Sequence, residues 1–162
     1  MDDRSVTLRR MTEAEYRSAT EEREAETVAE LARLMPEELA RERAREGTAR
    51  FLPKGLATAG HHLVVAENAT GEAVGTAWIG PDPRAGAGAS TSAWLYHLRV
   101  RPGLRRRGYG AAILAAAERL VAEEGMTDLA LNVFGGNEAA IALYRRSGYG
   151  VSSMYLSKTV RP

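Results

Sequence analysis

A chain of 162 residues, 44% hydrophobic and 27% charged, has the length and composition of one globular domain with a real core, not of a disordered protein. Its 22 basic and 21 acidic side chains leave a formal net charge of +1, so no global field selects nucleic acid or an anionic membrane as partner. Cysteine is absent, which excludes a disulfide framework, a thiolate metal site and a cysteine nucleophile; the start lacks an apolar targeting core and no run approaches the ~18 apolar residues of a membrane span, so a cytoplasmic protein is expected.

In chain order, residues 5–10 alternate apolar and polar side chains and predict a first strand. From Thr12 to about Gly47 the pattern is helical, with Tyr16, Ala19, Val28, Leu31, Leu34, Leu39 and Ala40 forming a broken apolar stripe. Thr12 and Glu15 have capping-box spacing, and Pro36 suits the first turn of a second helix, so two helices are expected to meet near Met35 and Pro36. Residues 62–67 and 73–79 predict a hairpin turning through Asn68-Ala69-Thr70-Gly71. Residues 81–92, rich in Gly, Ala, Pro and Ser, predict a mobile loop.

Beyond it, strand alternates with helix. Residues 93–100 predict a strand, and residues 108–124 a helix that buries Ile113, Ala117, Leu120 and Val121 and closes at Gly125. Residues 129–134 are mostly apolar and predict a strand buried on both faces. Asn137 caps a helix running through Arg146, with Gly148 after its end, and residues 149–160 predict a last strand. The unit over 93–134 is expected to be a right-handed crossover joining parallel strands. With no internal repeat, residues 1–162 read as a single domain.

The most informative stretch runs from Val100 through Arg105-Arg106-Arg107-Gly108-Tyr109-Gly110. It leaves a strand, turns, and opens a long Ala-rich helix. Glycines there remove the Cβ atoms that would hold a ligand off the main chain, and the first free amides of the helix carry its positive dipole end. A pyrophosphate matches that chemistry; a tight turn with a solvated basic run is the plainer alternative. The dinucleotide fingerprint fails, because Gly108-Tyr109-Gly110 is followed by Ala111-Ala112-Ile113, and the phosphate loop ending in Gly-Lys-Ser/Thr is missing.

Arg105-x-x-Gly108-x-Gly110 resembles the Arg/Gln-x-x-Gly-x-Gly/Ala motif of the GNAT N-acetyltransferase superfamily. Leu98-x-Val100-x-Pro102, then Leu131-Asn132-Val133, Asn137, Ala140, Leu143-Tyr144 and Gly148-Tyr149 follow in the order of that family. The resemblance implies an α/β fold whose mixed sheet has splayed central parallel strands and is flanked by helices. It implies acetyl-CoA as co-substrate, with no metal. Leu98, Arg99 and Val100 of the fourth strand would meet the pantetheine arm, Arg105, Arg106, Arg107, Gly108, Tyr109 and Gly110 the pyrophosphate, and Asn137 the far side of the pantetheine.

The resemblance also implies transfer of an acetyl group to a primary amine of a small molecule or peptide, with Tyr144 beside the cofactor as proton donor to the departing sulfur. Backbone N–H groups near Val100 would hold the developing oxyanion. Many relatives carry a carboxylate just before the Leu-x-Val segment; here Tyr96-His97 stands there. His97 is the substitute base, since an ordinary imidazole titrates near ~6.5; Glu67 and a water relay are the alternatives. A non-catalytic acyl-CoA-binding module is the competing reading, and many relatives are homodimers.

Overall fold

The structure is a computed structural model that describes residues 4–86, 88 and 90–161. Residues 1–3, Pro162, and Ala87 and Ala89 of the expected 81–92 loop lie outside the described residues. Two compact units make up the chain, Met1–Asn132 and Val133–Pro162.

The first unit holds one sheet in the order β1 (Thr7–Arg10), β2 (His62–Glu67), β3 (Ala73–Pro81), β4 (Ser92–Val100), β5 (Asp128–Ala130). All neighbours are antiparallel except β4 and β5, which run parallel. Three helices accompany it: α1 (Glu13–Leu31), α2 (Glu37–Phe51) and α3 (Tyr109–Glu123). The expected mixed sheet flanked by helices is therefore present.

Local chemistry explains the boundaries. The Thr12 hydroxyl accepts from Glu15 N–H at 3.2 Å, while the Glu15 carboxylate accepts from Thr12 N–H at 2.8 Å, a closed capping box at the start of α1. Arg9 ties that cap to the sheet, reaching Glu15 at 2.8 Å and Glu67 at 2.5 Å. Pro36 stands at the N-cap of α2, one residue before the first turn in which the sequence places it. Between β2 and β3 the Asn68 side-chain oxygen accepts from the amides of Thr70 and Glu72, both at 3.0 Å, so the turn is held by an Asx side chain.

The faces of the sheet follow from strand alternation. Leu63, Val65 and Trp78 point to one side and join Met11 and Leu52 in a buried cluster, with Tyr16, Phe51 and Tyr96 against it. On the other side a Cβ at Gly75 would strike Ile113 of α3 at 2.7 Å, so that face belongs to α3, whose Ile113, Leu114 and Ala117 are fully buried.

Two strand expectations need correction. The strand foreseen over 129–134 is only Asp128–Ala130, because beyond Ala130 the chain no longer pairs with β4. Instead of being buried on both faces, Val133 and Phe134 are exposed. The second unit contains α4 (Glu138–Arg146), capped by the Asn137 side chain, which accepts from Ala140 N–H at 3.2 Å. The last strand expected over 149–160 is not formed. Residues 150–161 have no ladder partner, so the segment lacks both the hydrogen bonds and the buried face that make a strand; Val151, Met154, Tyr155, Leu156 and Val160 are all exposed.

Candidate active site

The site is built on β4. Its pairing with β5 covers only Ser92 to Trp94. From Leu95 to Val100 no strand among the described residues takes the second edge, so β4 and β5 splay apart. Which backbone groups face this open edge follows from the ladder. Arg101 N–H donates to Val74 O at 2.9 Å, and antiparallel alternation then turns Arg99 and His97 toward β3. Leu98 and Val100 are left with their N–H and C=O groups toward the opening; in agreement, Val100 O accepts from Arg105 Nε at 3.3 Å.

The register of β4 against β3 slips by one residue. Trp78 faces His97, but Ile79 faces Leu95, so Tyr96 is the extra residue of a β-bulge and stands outside the regular ladder. Its phenol donates to Pro81 O at 2.6 Å and its ring stacks on Trp78, centroids 4.4 Å apart. Burial, with the Asp82 charge, pushes that phenol up to about 12.

After β4 the chain makes a short turn of helix, Pro102–Leu104, and enters α3 through Gly108. Gly108 has φ +87°, and a Cβ there would sit 3.1 Å from Arg4 Cδ, so only glycine adopts this position without strain. Arg106 is also left-handed, at φ 64°. The α3 ladder starts with Ala112 N–H donating to Gly108 O at 3.2 Å, leaving the amides of Tyr109, Gly110 and Ala111 without intrahelical acceptors. Arg105, Arg106 and Arg107 are exposed around them. The sequence-predicted loop and Leu98 to Val100 therefore form one continuous surface of main-chain donors and guanidinium groups, which fits an extended, amide-bearing chain ending in a diphosphate.

On the opposite face of β4, side chains of α1 reach His97 and Arg99. His97 Nε2 lies 2.9 Å from Glu26 Oε2. Arg99 pairs with Glu22, and its Nε lies 2.8 Å from Glu26 Oε1, within ion-pair range but off the N–H direction. The hydrogen bond from His97, then the charges of Arg99 and Arg105, hold the Glu26 carboxyl below the usual carboxylate range despite its burial. Arg23, a buried residue of α1, lays its guanidinium over the Trp78 ring at 4.6 Å. Glu22 and Glu26 are functional candidates that sequence reasoning missed.

Glu67, the alternative base, and the two remaining histidines are occupied elsewhere. Glu67 is paired with Arg9. His61 accepts from Trp78 Nε1 at 2.9 Å, and burial with the nearby His62 charge lowers its pKa, which keeps it neutral. His62 sits 2.6 Å from Glu124. Among the described residues no three His, Cys, Asp or Glu side chains gather as metal ligands, and no helix is long and apolar enough to cross a membrane.

In the second unit Tyr144 is half-buried, with its ring edge-on to Tyr149 at 5.7 Å. Burial pushes its phenol up, so it holds its proton at neutral pH.

The model of a family described as "Acetyltransferase (GNAT) family" matches residues 17–149. An uncharacterized N-acetyltransferase of Bacillus subtilis, YycN, is 31% identical over 108 residues, 67% of each chain. Its solved structure superposes with a TM-score of 0.88 at 26% identity, covering 98% of this chain and all of that one. A mycothiol acetyltransferase of Clavibacter sepedonicus is 37% identical over 87 residues, 54% of this chain but only 26% of that protein. The PaiA N-acetyltransferase of Thermoplasma acidophilum, solved with coenzyme A, shares the fold at TM-score 0.67 and 17% identity, over 93% of each chain.

Proposed function

The chain belongs to the acetyltransferase (GNAT) family, and from that premise we propose that it transfers an acetyl group from acetyl-CoA to a primary amine of a small molecule or peptide. The observation that carries the reading is the main-chain surface running from Val100 through the turn to the free amides that open α3. The family match spans both compact units, which supports treating residues 1–162 as one catalytic domain. The binding-only alternative is not favoured, since the relatives matched are acetyltransferases.

When bound, acetyl-CoA supplies a thioester-activated acetyl group. Leu98 and Val100 would hold its pantetheine through their outward backbone groups, while Arg105, Arg106, Arg107, Gly108, Tyr109 and Gly110 would hold its pyrophosphate. The resemblance places Arg99 and Asn137 in the same role; in the structure the Arg99 backbone faces β3 and Asn137 caps α4. Backbone N–H groups of β4 near Val100 are the donors for negative charge on the acetyl oxygen, each such contact being worth ~3 kcal/mol of barrier elsewhere. His97 takes the proton of the acceptor amine, and Tyr144 gives a proton to the leaving sulfur. The acceptor class is left at primary amines, and the protein is proposed to work in the cytoplasm without nucleic acid or membrane.

A mass-spectrometric acetylation screen over a broad panel of amines and peptides, with acetyl-CoA supplied, tests the reading. At least one amine is expected to gain an acetyl group, and His97→Ala should lower kcat/KM for it by roughly 10²–10⁴. No product across the panel would count against the enzyme; full activity in His97→Ala would move the base to another group.

A further inference from the structure

We propose that Glu26 is the positioning residue for His97: a carboxylate from α1 fixes which nitrogen of the β4 histidine carries its proton. The inference rests on the reading of His97 as the base.

The contact is built by two matching periodicities. Glu22 and Glu26 lie four residues apart on α1, about 6 Å along the helix and on one face. His97 and Arg99 lie two residues apart on one face of β4, about 6.7 Å. The two pairs therefore meet residue for residue, Glu22 with Arg99 and Glu26 with both Arg99 and His97. Two carboxylates at this helical spacing repel each other unless cations stand opposite, and Arg99 stands opposite both.

The chemistry that follows is specific. An ionised carboxylate only accepts hydrogen bonds. Glu26 is ionised at neutral pH, because His97, Arg99 and Arg105 favour its charged form. At 2.9 Å from Glu26 Oε2, His97 Nε2 must then be the protonated nitrogen. In the neutral ring the lone pair is consequently on Nδ1. When the acceptor ammonium gives up its proton, its N–H bond breaks, the electron pair stays on the amine nitrogen, and a new N–H bond forms at Nδ1. The imidazolium so formed keeps its Nε2 proton against Glu26, and the Nδ1 proton passes afterwards to solvent. Without the carboxylate, neutral imidazole divides between two tautomers, and the molecules protonated on Nδ1 have no lone pair there.

Two measurements test this. Long-range proton–nitrogen NMR of the full chain at a pH where His97 is neutral reports the tautomer, with His97→Asn assigning the signal among the 3 histidines. The Nε2–H form is expected in the parent and a mixture in Glu26→Ala. An Nδ1–H form in the parent, or an unchanged pattern in the variant, overturns the proposal. The second is a double-mutant cycle on any amine that the parent acetylates. Glu26→Ala should lower kcat by about tenfold or more with CoA affinity unchanged, and should cost nothing further in a His97→Ala background. Additive losses would mean that Glu26 acts by another route. If the parent acetylates no amine, the proposed function fails, and the NMR tautomer still decides the pairing on its own.

Discussion

Gly108 concentrates two constraints in one residue. Its φ of +87° is open to glycine at little cost, while a side chain there pays roughly 1–2 kcal/mol and meets Arg4. Aspartate is otherwise a good N-cap, but it caps from extended backbone, which this position does not adopt. Gly108→Asp also sets a negative charge at the end of α3 where the pyrophosphate is proposed to bind. Calorimetry should show CoA binding severely weakened while the helical circular dichroism is retained, and desulfo-CoA should bind the parent as CoA does. Equal CoA affinity in parent and variant would remove the loop from the binding site. Tyr144 calls for a different signature. Its phenol is held protonated by burial, so Tyr144→Phe keeps the ring and its packing on Tyr149 but deletes the donor. A donor needed only as charge builds on sulfur affects the transition state, so kcat should fall at least tenfold with CoA affinity within a few-fold. Weakened CoA binding instead would make Tyr144 a cofactor-holding or structural residue.

At the scale of elements, what was legible in the sequence was what local chemistry decides. Thr12 with Glu15, the Asn68 turn, and Gly108 and Gly125 around α3 each mark a boundary through their own backbone hydrogen bonds or a left-handed φ, and each boundary stands where those residues put it. What was hidden depends on partners distant along the chain. The run 131–134 is apolar enough for a strand, yet a strand exists only where a neighbour completes its ladder, and β4 has already diverged. The same holds for residues 150–161. In the candidate site, the ordered motif around Arg105 and Gly108 was visible, and so was His97. Its carboxylate was not, because Glu26 lies 71 residues earlier. One signal was present: Glu22, Glu26 and Glu30 follow at four-residue steps, a stripe of like charge that an isolated helix disfavours and that calls for positive charge across from it.

Across the whole first unit, ion pairs bind helix to sheet and strand to strand, and they make its stability depend on acid. The Glu15 carboxyl is held down to about 2 by its hydrogen bond from Arg9, and it joins α1 to β1. Asp82, buried, is held down to about 2 by Arg84, and it accepts from Ser92 Oγ at 2.9 Å where β3 meets β4. In the unfolded chain both return to about 4. Groups depressed on folding stabilise the native state above the unfolded value, and that contribution is lost as pH falls toward the folded value. The thermal midpoint should therefore fall gently below about pH 6.5, where the native state resists charging buried His61, and drop steeply between about 4 and 2, with the steep drop reduced in Asp82→Asn. A midpoint flat down to pH 2 would show that these contacts do not contribute.

The open edge of β4 also has a signature in time. Arg99 and His97 turn their amides into the ladder with β3, whereas Leu98 and Val100, between and beside them, turn theirs outward. In heavy water the free protein should therefore exchange alternate amides of one strand at very different rates, fast at 98 and 100 and slow at 97 and 99. Saturation with CoA should slow the fast pair and leave the slow pair unchanged, so that a ligand with no side chains of its own is recorded in the strand as every second residue.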